Sequence, residues 1–258
     1  MAQLDHIMYA CPDLQAGIDE IYALTGVMPT MGGSHPGVGT RNALLSLGSL
    51  QYLEIIAPDP AQDLPGTTGQ LLLNHGGSGI RSWAVASDNL SEVASQAAAL
   101  GLESREIIDM SSTTPDGIEL AWRLLFLQDP QMPFFIDWLE SPHPALSTPT
   151  GCTLEQFSIS TAQPDIYQGF LDSLGLPLEA TSGPEGFTAQ LKTPKGAVTL
   201  RAWEPATKTR PLMYSDRLKR RRFTLPPSER PDCFGENYDS ANPRFGRHQP
   251  PRAAIHRF

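Results

Sequence analysis

Three ionisable side chains interrupt apolar runs. His6 lies in Leu4-Asp5-His6-Ile7, Glu54 in Tyr52-Leu53-Glu54-Ile55-Ile56, and Asp137 in Phe134-Phe135-Ile136-Asp137-Trp138. Polar residues inside such runs face either solvent or a cleft, and a carboxylate buried there without a partner is costly. Asp137 therefore requires something positive beside it: a metal ion, Arg123 or a proton. A fourth candidate, His35, sits in a Gly-rich loop, Gly32-Gly33-Ser34-His35-Pro36-Gly37-Val38-Gly39-Thr40-Arg41-Asn42. That loop does not follow the phosphate-cradling GxxxxGK[ST] pattern. No Gly-x-Ser-x-Gly elbow occurs, which disfavours a serine hydrolase. Structural alternatives stand beside each role. His6 could be a hydrogen-bonded strand histidine, Glu54 a partner of Arg41, His35 a loop anchor, and Asp137 a partner of Arg123 or Arg81. His75 and His143 fall in connectors, and Tyr52, Trp83, Trp122, Phe135 and Trp138 suit a core or an apolar cleft wall.

The elements that must position these residues recur in order. Residues 4–11 read as a strand, Pro12-Asp13-Leu14 opens a helix with Leu14, Ile18, Ile21 and Leu24 on one face, and Gly26 ends it. Residues 42–48 and 50–57 read as strands joined by a tight turn. The order returns with a strand at 79–86, a helix opened by Asn89-Leu90, and strands at 118–127 and 133–139. Aligning Leu14 with Leu90 sets Ser82 opposite His6. A third, shorter copy has a strand at 154–161, a helix from Pro164, and strands at 187–192 and 197–203, with Gln156 opposite His6. These are βαβββ units, an α+β class. One unit leaves a hydrophobic sheet face uncovered, so units must pair, and pairing curves the sheets into a cleft. The expected organisation is paired units over 1–145, a third βαβ-type unit over 152–203, and a tail over 204–258.

The chain has 258 residues, a net charge of -9 and 40% hydrophobic residues, enough to bury a core. That charge argues against nucleic acid as a partner for the whole chain. No stretch approaches the roughly 18 apolar residues of a membrane span, and the first residues lack the features of a secretory signal. Three scattered cysteines, Cys11, Cys152 and Cys233, form no CxxC pair, so a cytoplasmic location is expected. Charge is uneven. Residues 204–258 hold 12 basic and 6 acidic residues and 8 of the 24 prolines, with no periodicity. This composition suits a disordered extension or a frameshifted end.

The strand containing Leu4-Asp5-His6-Ile7, the Gly-Gly-x-His-Pro-Gly-x-Gly-Thr-x-Asn loop, Tyr52-Leu53-Glu54 and Pro133 to Trp138 together resemble the vicinal oxygen chelate superfamily. The likeness is closest to bacterial glyoxalase-like proteins and covers residues 3–203. It implies a divalent metal ion in the cleft (Zn, Ni, Mn, Mg or Fe) that chelates neighbouring substrate oxygens, and hence a lyase or isomerase acting on a small oxygenated metabolite. Carried onto this chain, His6 takes the first-strand ligand position and Glu54 the last-strand position. His35 would be a third ligand or a general base, Glu54 would join it in catalysis, and Asp137 would match the second unit's last-strand carboxylate. Ser82 stands where a second His or Gln is expected, although Gln156 could serve if the third unit closes the site. The superfamily also includes metal-free drug-sequestering proteins and extradiol dioxygenases, which supply alternative functions, and it suggests a homodimer.

Overall fold

The computed structural model describes residues 2–113 and 117–204; the tail expected to be disordered or frameshifted, from 205 onward, lies outside them. The first unit comprises β1 (Gln3–Ala10), α1 (Leu14–Thr25), β2 (Thr30–His35), β3 (Thr40–Gly48) and β4 (Gln51–Pro58). After α2 (Thr68–His75), the second unit repeats the order with β5 (Gly79–Ala86), α3 (Leu90–Ala99), β6 (Ile108–Thr113), β7 (Glu119–Leu125) and β8 (Phe134–Asp137). Local signals set the boundaries. Asp13 accepts from the Ala16 N–H and caps α1, and Gly26 closes it at φ 79°. Asn89 caps α3 through the Glu92 N–H. The turn between β3 and β4 needs positive φ at both Ser49 and Leu50, which gives the primed hairpin geometry.

The two units form one eight-stranded sheet in the order β2-β3-β4-β1-β5-β8-β7-β6. Strands β1 and β5 pair antiparallel at its centre, and each pairs in parallel with the last strand of its own unit. The sheet curls until its edges meet, where the Ser112 hydroxyl of β6 donates to the Ser34 carbonyl of β2. Alternation then divides the side chains. Ile7, Leu45, Leu53, Ile55, Trp83 and Phe135 enter the main core on the convex face, with α1 and α3. The intervening positions face the concave side.

A second sheet packs on the convex core: β9 (Thr153–Thr161), then α4 (Pro164–Ser173), β10 (Glu179–Ser182), β11 (Gly186–Thr193) and β12 (Gly196–Arg201). Its order is β10-β9-β11-β12. The first strand here pairs in parallel with the strand that follows the helix, not with the last strand of the unit. Phe157 meets Trp83 and Phe170 meets Phe135 across the shared core. Gln156 is exposed on this sheet and pairs in register with Gln190, away from the cleft.

The stretch expected as a Gly-rich loop is half strand. Residues 30–35 form β2, and the loop proper begins after His35. The glycines permit close approaches. A Cβ on Gly32 would strike the Asn42 side-chain oxygen, and one on Gly33 would strike the Ser112 hydroxyl. Helix α2, which the hydrophobic pattern does not reveal, locks this loop. Thr67 caps it by accepting from the Gln70 N–H, and a Cβ on Gly69 would overlap the Gly39 carbonyl oxygen. Gly69→Ala is expected to destabilise the chain by about 1–3 kcal/mol through overpacking, measured by urea denaturation. Wild-type stability in that variant would show that the helix and loop are not in fixed contact.

Candidate functional site

The concave face encloses a cleft of about 970 Å³. Its walls are mainly apolar and include Trp122, Phe126, Phe134 and Trp138, and its polar floor comes from the first unit. In β1, His6 lies opposite Tyr52 of β4, and Met8 lies opposite Glu54. In β3, Leu44 lies opposite Glu54 and Asn42 opposite Ile56. These even-numbered positions share the concave face, so His6, Asn42 and Glu54 converge there, joined by His35 from the end of β2.

A β-bulge orients His6. Leu4 pairs with Val85 and His6 with Ala84, so Asp5 is the extra residue in β1. Its carboxylate is fully buried. It accepts from His6 Nδ1 at 2.6 Å, from Trp138 Nε1 at 3.0 Å and from His143 Nε2 at 3.0 Å. Burial alone would raise the Asp5 pKa. The hydrogen bonds and charge of His143 and His6 outweigh it and bring the pKa from 3.8 down to about 2. An ionised Asp5 can only accept, which places a hydrogen on His6 Nδ1 and turns Nε2 towards the cleft. The ring is held between Tyr52, stacked at 4.6 Å, and Phe134, edge-on at 5.3 Å.

Asn42 arranges the other side of the floor. Its side-chain oxygen accepts from the Gly33 N–H at 2.9 Å, which aims its amide nitrogen inward. The amide donates to Glu54 Oε1 at 2.7 Å and to His35 Nε2 at 3.3 Å. With Nε2 accepting, His35 Nδ1 donates to the Thr40 hydroxyl at 3.0 Å. Burial lowers the His35 pKa against the opposing charge of Glu54, in keeping with a neutral ring. Two atoms of the cluster make no hydrogen bond among the described residues. His6 Nε2 and Glu54 Oε2 stand 3.5 Å apart with no hydrogen bond between them.

The expected second half of the site is elsewhere or missing. Met8 lies opposite Ser82, as His6 lies opposite Ala84, so the repeat places Ser82 in the position of His6. Ala84 lies opposite Phe134 as Met8 lies opposite Glu54, so the counterpart of Glu54 is Phe134 and not Asp137. Asp137 is three residues further along. It bonds Arg123 at 2.5 Å and accepts from the Leu139 N–H, and it does not line the cleft. His143, expected to be a plain connector residue, is a partner of Asp5. Asp5 and Asn42 were not singled out by sequence, although both lie inside the motifs quoted above.

The divalent ion implied by the family does not fit this donor set. Asn42 occupies His35 Nε2 and one Glu54 oxygen, Ser82 and Phe134 supply no ligand, and Asp137 faces away. His6 Nε2 and Glu54 Oε2 are what is left, where enclosed sites use three or more protein ligands. Among the described residues, no group of three His, Cys, Asp or Glu is arranged to hold an ion.

A family model described as a glyoxalase-like domain matches residues 4–175. The chain belongs to that family, and with it to the vicinal oxygen chelate superfamily. The crystal structure of a hypothetical protein from Staphylococcus aureus aligns with a TM-score of 0.55 at 16% identity, over 80% of this chain and 89% of that one, and shows the same fold. Methylmalonyl-CoA epimerase from Mycobacterium tuberculosis aligns at 0.39 and 19% identity, over 56% of this chain and 91% of that one. A methylmalonyl-CoA epimerase in complex with methylmalonyl-CoA aligns at 0.40 and 21%, over 55% and 99%. No curated protein matches the chain. No helix among the described residues is long and apolar enough to cross a membrane.

The depressed Asp5 pKa fixes a pH dependence. A carboxyl held below its unfolded value contributes stability that is complete above about 3.8 and is lost as pH falls towards about 2. Asp5→Asn is expected to cost roughly 3–5 kcal/mol at neutral pH and to flatten the acid limb of the stability curve in that window, read by circular dichroism. An unaltered acid limb would show that Asp5 is not held ionised by its partners.

Proposed function

We propose that this chain binds a small oxygenated compound in the cleft and moves a proton on it with protein side chains, as an isomerase or lyase. The observation that carries this is the uncommitted pair of His6 Nε2 and Glu54 Oε2, 3.5 Å apart on the polar floor of an otherwise apolar cleft. A ligand hydroxyl or acidic C–H entering the cleft meets two acceptors there. His6 Nε2 is the proton-exchanging atom. Asp5, hydrogen-bonded to Nδ1, fixes the ring and stabilises the imidazolium formed when Nε2 takes a proton. Glu54 positions the reacting group, Asn42 holds Glu54, and His35 accepts from the same Asn42 amide. The apolar walls exclude water and take up the ligand's carbon skeleton. The metal-dependent version of this chemistry is set aside because the donor set does not suit an ion.

A second reading, a binding protein without turnover, is favoured by the replacement of the second unit's polar pair with Ser82 and Phe134. One experiment separates the two. Carbonyl compounds bearing an adjacent C–H are incubated with the protein in D2O and followed by proton NMR, with bound metal measured on the same samples. Deuterium exchange into at least one compound is expected without stoichiometric metal, and a drop of about 100-fold or more in His6→Ala. Binding without exchange would support the second reading. One ion per chain, lost in both His6→Ala and Glu54→Ala, would overturn the metal-free account.

A further inference from the structure

The two-fold repeat that sets Ser82 against His6 also has a counterpart for Asp5. Met8 pairs with Ser82 and Tyr9 with Ile80, so Arg81 is the extra residue of a bulge in β5, as Asp5 is in β1. The two bulges are exchanged by the repeat. In the first unit the bulged residue is an acid satisfied by three N–H donors. In the second it is a cation with no carboxylate partner among the described residues. Arg81 is in no ion pair among the described residues. Its guanidinium contacts are the Met8 sulfur, 3.9 Å from Nη1, and the Trp203 ring, 5.8 Å from Cζ. Trp203 is itself fixed by donating from Nε1 to the Gly77 carbonyl and by stacking on His75 at 3.4 Å. Arg81 lines the same cleft as His6, and burial lowers its pKa. A half-buried guanidinium matched by no acid among the described residues has room for a counter-charge, and the cleft is where one can come from.

We infer that Arg81 is the anion-binding subsite of this cleft and that the ligand carries a carboxylate. This rests on the cleft being the ligand site and deepens the function proposed above. Met8 is two residues beyond His6 on the same face of β1, so the residue the guanidinium touches is about 7 Å along the strand from His6. That spacing suits a short acid whose reacting carbon is a few bonds from its carboxylate. The planar fork of Arg81 pairs with a carboxylate in two parallel hydrogen bonds. Its apolar surroundings favour the anion over water.

Binding, not turnover, tests this, so the result is independent of whether His6 transfers protons. The full chain is titrated with sodium 3-phenylpropanoate and with the neutral 3-phenylpropanamide at matched ionic strength, and tryptophan fluorescence is followed. Saturable binding of the acid is expected, weakened about tenfold or more in Arg81→Met and partly kept in Arg81→Lys. The amide should bind weakly and equally to wild type and variant. Arg81→Met without ligand should melt no lower than wild type, because a half-buried charge with no acid among the described residues has been removed. Equal affinity of wild type and Arg81→Met for the acid would overturn the assignment, as would no saturable binding of the acid to wild type. Exchange activity with no dependence of acid binding on Arg81 would leave the proton-transfer reading standing and remove this one.

Discussion

A buried carboxylate with three N–H donors governs the floor of the cleft. Asp5 is fully enclosed, and an enclosed anion is tolerated only while its partners stay in place. His6 comes from the same strand, Trp138 from just beyond β8, and His143 from the connector that follows. One anion thus ties together the start of the first unit and the end of the second. The bulge that turns Asp5 out of register makes this possible, since adjacent residues of a regular strand point to opposite faces. The tautomer of His6, and so the chemistry open to Nε2, follows from that one contact.

The repeat builds two halves and then uses them differently. Equivalent positions hold His6 and Ser82, Glu54 and Phe134, Asp5 and Arg81. The first half is a hydrogen-bonded acid–base cluster. The second offers an aromatic wall and a cation. On the proposed function, a cleft with a proton-exchanging end and an anion-binding end would hold a ligand in one direction, which two like halves would not. The ring of Phe134, edge-on to His6 where a ligating carboxylate would otherwise stand, makes the difference between the halves visible.

Much of the fold was legible because periodicity and caps act locally. Asp13, Gly26 and Asn89 mark helix ends as expected, and the strand at 79–86 has the same bounds in the structure. Helix α2 was missed because it is short and half apolar, although Thr67 is a recognisable N-cap residue. Strand β6, Ile-Asp-Met-Ser-Ser-Thr, has few apolar residues because it is an edge strand. In the site, His6, Glu54 and His35 were found because they stand out in their segments. Asp137 was misplaced because a carboxylate in the corresponding strand looks equivalent until register is known. Three residues from Phe134 it faces the other way. Asp5, Asn42 and Arg81 were not assigned these roles, because each depends on a bulge or on a glycine that lets a side chain approach.

The most direct test of the central claim is the proton on His6. Long-range proton–nitrogen NMR of the histidine rings distinguishes the two tautomers. Neutral His6 should carry its hydrogen on Nδ1, and Asp5→Asn should abolish that preference. A neutral His6 protonated on Nε2 in the wild-type chain would contradict the account, because the nitrogen facing the cleft would then be a fixed donor and not a base.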